Sequence, residues 1–179
     1  MMNILQAENF PLEAQQLIEA SAGTGKTYTI TSLYLRLLLG HSTGVKRPLA
    51  VNEILVLTFT RTATEELRDR IRKRLVEAKV AFQSGQSHDP FLEHLIDISN
   101  DNRRDSTLLA VAIQLMDEAA IFTIHGFCAR VLYQQSFETG VLFDQDLDGD
   151  RDQLLEMAAA DCFRQTILTL STFERNIAL

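Results

Sequence analysis

The sequence predicts an α/β layer fold built on a parallel sheet, and three observations predict it. Short apolar runs of strand length occur at residues 17–20, 54–57 and 120–123. Each run is followed by a segment whose apolar residues recur at helical spacing. The second run, Ile54–Leu57, is continuously apolar rather than alternating, as a strand covered on both faces requires. Three strands are few for such a sheet. The expected architecture is therefore an incomplete parallel sheet with its helices, a helical insertion and a C-terminal helical segment.

The elements follow in order. Leu17-Ile18-Glu19-Ala20 is an extended run that meets a glycine-bearing turn, Ser21 to Gly25. Lys26 to about Leu39 reads as a helix with Ile30, Leu33, Leu37 and Leu38 on one face and Gly40 as its stop. After a polar loop, Ile54–Leu57 reads as a buried strand. Thr62 to about Phe82 reads as a long helix with Ala63, Leu67, Ile71, Leu75, Ala78 and Phe82 inside. Arg68, Arg70, Arg72, Lys73, Arg74 and Lys79 form its other, basic face. Residues 84–105 read as loop-rich around one apolar patch, Phe91 to Ile98. Thr107 to about Asp117 reads as helix, Ala120–Thr123 as the third strand, and His125 to about Ser136 as the helix behind it. An acidic, solvated loop at 144–152 precedes a final helix, Gln153 to Leu170. There is no internal repeat.

Composition narrows the class. With 46% hydrophobic and 23% charged residues, the 179-residue chain can bury a core, which excludes disordered, collagen-like and disulfide-scaffold classes. The formal charge of −7 argues at first against a nucleic-acid partner, but its position matters more. Residues 138–161 hold eight acids and one base, and the remainder is balanced at 16 bases and 16 acids. The helix segment 61–79 carries seven bases against four acids. Cys128 and Cys162 are too few for a disulfide framework and read as free thiols. No basic-then-apolar leader and no run of ~20 apolar residues is present, so a cytoplasmic location is expected.

The strongest motif is Ala20-Ser21-Ala22-Gly23-Thr24-Gly25-Lys26-Thr27, which fits GxxxxGK[ST] except that Ala20 replaces the first glycine. Glycines at 23 and 25 let the backbone turn its N–H groups toward phosphate oxygens, and the helix that follows adds its positive end. Lys26 can reach β- and γ-phosphates, and the Thr27 hydroxyl can ligate Mg²⁺. The motif predicts a P-loop that binds ATP with Mg²⁺ through residues 20–27, with Lys26 and Thr27 closest to the chemistry.

Two further segments sit at strand ends, where open α/β sheets bind ligands. Leu57-Thr58-Phe59-Thr60-Arg61-Thr62-Ala63-Thr64-Glu65-Glu66-Leu67 offers hydroxyls and an aromatic ahead of a basic helix. Thr123-Ile124-His125-Gly126-Phe127-Cys128 repeats the design. Hydroxyls suit phosphate contacts, and an aromatic offers a stacking face for a base. On chemistry alone the threonines serve equally as helix caps, Phe59 and Phe127 as core, and His125 as a structural residue.

Taken together, ASAGTGKT, LTFTRTATEEL and TIHGFC resemble motifs I, Ia and Ib of superfamily 1 DNA helicases. The forms EASAGTGKT and FTIHGFCARVL are most similar to the RecB type, the beta subunit of exodeoxyribonuclease V. The resemblance runs from about Pro11 to Phe143. It implies a RecA-like motor domain in which Gly23, Gly25, Lys26 and Thr27 hold ATP and Mg²⁺. It further implies that Thr58, Phe59 and Thr60 line a single-stranded DNA path, with Phe59 against a base, and that Thr123 and His125 touch the DNA backbone. Arg61 stands where many members have asparagine and receives no role. No adenine-reading glutamine is assigned among Gln6, Gln15 and Gln16.

The resemblance also implies partners: DNA, as single strands and duplex ends, and the other exodeoxyribonuclease V subunits, of the RecC and RecD type. The activity it implies is ATP-driven unwinding and degradation of duplex ends, 3′→5′ along one strand, in recombinational repair of double-strand breaks. Residues 1–137 are expected to be the N-terminal part of the motor domain, with a helical insertion at about 84–118. Residues 138–179 would be an acidic linker and the start of a helical subdomain.

Some expected parts are not found. The Asp-Glu pair that such an ATPase needs at a strand end is not identified, because Asp117-Glu118 precedes its strand. No arginine finger or nuclease carboxylate cluster is identified either. The chain therefore reads as part of a larger motor, inactive alone as an ATPase. Asp144 to Asp152 matches an EF-hand loop in part, but Leu155 stands where the bidentate glutamate belongs, and the segment reads as a solvated linker. The alternatives are a UvrD-like or AddA-like helicase or, in another class, a P-loop kinase or nucleotide-binding module. A kinase would need an acceptor site that the sequence does not offer.

Overall fold

The computed structural model describes residues 6–12, 15–21, 23–41, 47–135 and 151–169. They belong to two compact units, residues 1–127 and 128–179. In the first unit, α1 (Lys26–Leu39) is followed by β1 (Val56–Thr58), α2 (Arg61–Ser84), α3 (Pro90–Ile98) and α4 (Asn102–Gln114). A single 3₁₀ turn, Met116–Glu118, leads into β2 (Ile121–Thr123), and α5 (Ile124–Gln134) starts directly after it. In the second unit, beyond the rest of α5, the described element is α6 (Arg151–Thr169), whose residues 155–164 are exposed. No helix among the described residues is long and apolar enough to cross a membrane.

The strands β1 and β2 pair in parallel with Val56, Leu57 and Thr58 opposite Ile121, Phe122 and Thr123. This confirms a mixed α/β architecture with a small parallel sheet. Two expectations fail here. Residues 17–20 form no strand: Leu17 is 84% exposed and Glu19 is exposed beside it. An extended run becomes a strand only where a neighbouring strand supplies ladder partners, and β1 and β2 supply them to each other. Nor is β1 buried on both faces. Leu55 and Leu57 stay nearly half exposed, because helix packing covers only the alternate face.

The core forms around α2. Leu67, Ile71, Leu75, Ala78 and Phe82 lie within it, at the spacing the sequence predicts, joined by Ala81. Tyr34, Leu35, Leu38 and Leu39 of α1, Phe91, Leu92, Leu95 and Ile96 of α3, and Leu109 and Ala112 of α4 complete it. Each such leucine, isoleucine or phenylalanine stabilises the fold by roughly 1.5–3 kcal/mol. The inward face of α1 is rotated from the expected one. Ile30 is exposed, Leu33 and Leu37 are half-buried, and Leu35 and Tyr34 take the centre.

Arg36, which interrupts the apolar run of α1, is buried. Its guanidinium donates to the carbonyls of Ala7 (2.8 Å), Phe10 (2.7 Å) and His41 (3.1 Å), tying the segment ahead of the P-loop motif to the helix. Burial holds its pKa below the usual arginine value. Paired hydrogen bonding is what makes a buried guanidinium tolerable.

The region 84–105 is helical rather than loop-rich. Asp89 caps α3 by accepting from the backbone N–H groups of Phe91 and Leu92, with Pro90 at the first helical position. Asp101 caps α4 through Arg103 and Arg104. The Asp-Pro pair and the second aspartate are the start signals that mark both helices. Gly40 ends α1 at φ 74°, and a Cβ there would lie 2.7 Å from the backbone nitrogen of Pro48, so only glycine fits.

Candidate nucleotide and nucleic-acid site

The P-loop motif takes the conformation its glycines permit. Gly25 is the N-cap of α1 at φ 82°, and no side chain caps the first turn, leaving its backbone N–H groups available to an anion. Lys26 folds back over the loop, its Nζ donating to the carbonyls of Ala20 (2.8 Å) and Ser21 (3.0 Å). Thr24 braces the same turn by donating its hydroxyl to the Ser21 carbonyl at 2.8 Å. Ala22 lies outside the described residues. The Thr27 side chain is half-buried, and its hydroxyl makes no hydrogen bond among the described residues. An uncapped helix start, an ammonium held over it and an unengaged hydroxyl one residue on fit a magnesium-bound triphosphate chemically. They would also fit a simpler phosphate.

The next residue, Tyr28, ties this helix start to the insertion. Its hydroxyl donates to Asp89 Oδ1 at 3.0 Å, and Asp89 Oδ2 accepts from Arg74 Nη1 at 2.6 Å. The Arg74 guanidinium lies 4.9 Å from the Tyr28 ring centre and 5.5 Å from that of Phe91. The Arg74 charge and these hydrogen bonds hold the Asp89 carboxyl below its usual pKa, despite the opposing effect of burial. Arg74 is thus a buried strut and not part of an exposed basic face.

The other α2 bases are mostly engaged as well. Arg68 donates to the carbonyls of Met116 and Ile121, and Arg70 and Arg72 pair with Glu66 and Asp117. A cleft of about 260 Å³ beside Thr27 has Thr31 on its α1 wall and Arg70 and Lys73 on its α2 wall.

The two strand-end motifs are brought together. Thr58 and Thr123 are direct partners across the ladder, so β1 and β2 end side by side and α2 and α5 both start beyond them. The Thr60 hydroxyl caps α2 by accepting from the Ala63 N–H at 3.1 Å. The Thr58 and Thr64 hydroxyls share a hydrogen bond. The Thr123 hydroxyl accepts from the Gly126 N–H at 3.0 Å, and a Cβ at Gly126 would meet that oxygen at 3.1 Å. Thr60 and Thr123 therefore do serve as caps, Thr60 exposed and Thr58 and Thr123 half-buried. Phe59 is 81% exposed and is not core, whereas Phe127 is half-buried; His125 is exposed.

Between these tips lies a cleft of about 410 Å³ with Arg61, Thr64, Glu65, Thr123 and Gly126 on its rim. No residue pattern in the sequence assigns a role to Arg61, Thr64 or Gly126. The in-register pairing that assembles them joins residues far apart in the chain and leaves no local signal.

Among the described residues no group of His, Cys, Asp and Glu is placed to hold a metal ion. Most of the partial EF-hand match, residues 144–150, lies outside them.

Comparison with known proteins adds a family. Residues 2–176 match the UvrD/REP helicase N-terminal domain. The chain is 49% identical over 157 residues to the RecBCD enzyme subunit RecB of Escherichia coli (strain K12), covering 87% of this chain and 13% of that protein. It is 48% identical over 164 residues to the subunit of the same name from Haemophilus influenzae, covering 87% and 14%. A third, from Buchnera aphidicola subsp. Schizaphis graminum, is 48% identical over 134 residues, covering 73% and 11%. The chain thus spans about an eighth of the length of these relatives.

Proposed function

This chain belongs to the UvrD/REP helicase N-terminal domain family, and from that premise we propose that it is the N-terminal ATP-binding part of a RecB-type helicase and exonuclease subunit. The whole protein would use ATP to unwind and degrade duplex DNA ends for recombinational repair of double-strand breaks, together with RecC- and RecD-type subunits. Residues 1–137 would form the start of a RecA-like motor domain with the helical insertion at about 84–118. Residues 138–179 would be the linker and the first part of a helical subdomain.

In this reading residues 20–27 hold the nucleotide, with Lys26 toward its phosphates and Thr27 toward Mg²⁺. Bound ATP·Mg²⁺ would supply the phosphoryl-transfer energy for strand movement. Thr58, Phe59, Thr60, Thr123 and His125 would form one wall of the single-strand path, Phe59 offering its exposed ring to a base. The observation that carries the reading is the pairing of Thr58 with Thr123, which makes one surface of two motifs separated in sequence. A P-loop kinase has no need of that surface.

The test is twofold. Fluorescence anisotropy of labelled oligothymidylate at low salt should report binding, and a fluorescent ATP analogue with Mg²⁺ should bind in a way that Lys26→Gln abolishes. The chain alone should turn over essentially no ATP. Absence of DNA binding in the folded chain would sink the DNA half of the reading, and analogue binding unaffected by Lys26→Gln would sink the nucleotide half.

A further inference from the structure

We infer that Arg61 is a backbone-phosphate contact at the head of the cleft between the two strand ends, an inference that rests on the DNA reading above. Residues 61–79 carry seven bases, and most of them are committed elsewhere. Arg68 spends its guanidinium on the carbonyls of Met116 and Ile121 (3.3 and 3.2 Å), which fixes α2 to the start of β2. Arg70, Arg72 and Arg74 are paired with Glu66, Asp117 and Asp89. Among the described residues Arg61, Lys73 and Lys79 have no acidic partner. Of these three, only Arg61 lines the cleft that also holds Thr64, Thr123 and Gly126.

Position supports the same role. Arg61 is the first residue of α2, exposed, and two residues beyond the exposed ring of Phe59. A nucleotide stacked on Phe59 would bring its backbone toward the Thr60–Arg61 turn. There a planar guanidinium can donate two parallel hydrogen bonds to phosphate oxygens. Glu65 shares the rim and opposes a second anion. With Arg61 and Arg68 against Glu65, the cleft has a local charge suited to one phosphodiester rather than a run of them. The motif's usual asparagine could offer a hydrogen bond at this position but no charge. Arg61 would therefore give this chain an additional salt-sensitive anchor.

The experiment measures oligothymidylate affinity as a function of salt for the wild-type chain and for Arg61→Ala, Arg61→Gln and Arg61→Lys. Binding of the fluorescent ATP analogue is measured in parallel. The expected result is a log–log salt slope about 0.7 shallower for Arg61→Ala and Arg61→Gln, the loss of one phosphate contact to a single strand. Arg61→Lys should keep the wild-type slope. Analogue affinity and thermal midpoint should be unchanged in all three, because the side chain touches neither the nucleotide loop nor the core. Equal slopes for wild type and Arg61→Ala, with DNA still bound, would overturn the inference and leave the DNA reading intact. So would a variant that loses the analogue and not the slope, which would place the phosphate on the nucleotide. A wild-type chain that binds no DNA would instead remove the DNA reading and this inference with it.

Discussion

Thr58 and Thr123 occupy opposing positions in adjacent parallel strands, 65 residues apart in the chain. Each hydroxyl is engaged with the first turn of the helix that follows, Thr58 with Thr64 and Thr123 with the Gly126 N–H. Two strand–helix junctions are thereby held at one level, and the side chains beyond them, Phe59 and His125, lie on the exposed surface there. The surface is set by ladder register. A slip of one residue would turn every side chain of β1 to the other face.

Phe59 should contribute to DNA affinity without contributing to stability. At 81% exposure its ring has no packing to lose. Stacking of one base on an aromatic is worth about 1–3 kcal/mol, so Phe59→Ala should weaken single-strand binding roughly 5- to 150-fold in an anisotropy titration. The thermal midpoint should stay within error of wild type.

Arg74→Ala should be among the more damaging single changes outside the apolar core. It leaves Asp89, only 24% exposed at its side chain, without its 2.6 Å partner and removes the guanidinium from against the Tyr28 and Phe91 rings. Breaking such a pair costs about 3 kcal/mol. Tyr28→Phe, which removes only the hydroxyl bond to Asp89, should cost about 1 kcal/mol. Urea unfolding of the two variants checks the order.

Tyr34 sets an alkaline limit. Its ring is 2% exposed, and burial pushes its hydroxyl up to about 12 from an ordinary 10.0. A raised folded-state pKa means the contribution is fully present below pH 10.0 and is lost as pH rises through 12. Two units correspond to roughly 3 kcal/mol. Denaturant midpoints of wild type and Tyr34→Phe should therefore diverge between these pH values, with the phenylalanine variant losing less.

Gly40→Ala should destabilise the first unit by more than the ~1–2 kcal/mol of a left-handed residue alone, because the new Cβ would meet Pro48 N at 2.7 Å and Arg47 C at 2.8 Å. Gly25→Ala, also at positive φ but with nothing within 4 Å, should cost only the conformational part. Comparing the two midpoints separates strain from collision.

These two glycines also explain what could be read in advance. The limits of α1 follow from them, and the long 3.6-residue period of α2 fixes that helix to within two residues. Where the structure departs from expectation, the deciding interaction is tertiary. Arg74 looks like a solvent-facing base until the carboxylate of Asp89 is brought to it, and nothing local marks Arg36 for burial until the carbonyls of Ala7 and Phe10 meet it. Leu17 and Ile18 look like a strand because nothing local says whether a neighbour will pair with them. For α3 and the first turn of α4 the cause is different: Asp89-Pro90 and Asp101 are legible caps set among polar residues that favour a loop, whereas α4 from Thr107 onward is legible from its apolar spacing. For the candidate site, the loop motif and the strand-end threonines could be located by pattern. The cleft with Arg61 and Gly126 arises only from strand register.

Asp89 answers to three helices at once: it caps α3, accepts from Tyr28 at the head of α1, and pairs with Arg74 on α2. That makes the short stretch between Gly85 and Asp89 intolerant of changes in length. Adding or deleting one residue there would carry the carboxylate, with the helix it caps, away from Tyr28 and Arg74 together, and no single compensating substitution could restore both contacts. Substitutions elsewhere on the insertion surface can accumulate one at a time, whereas variation in spacing at this junction would have to arise together with a rebuilt contact to the nucleotide-loop helix.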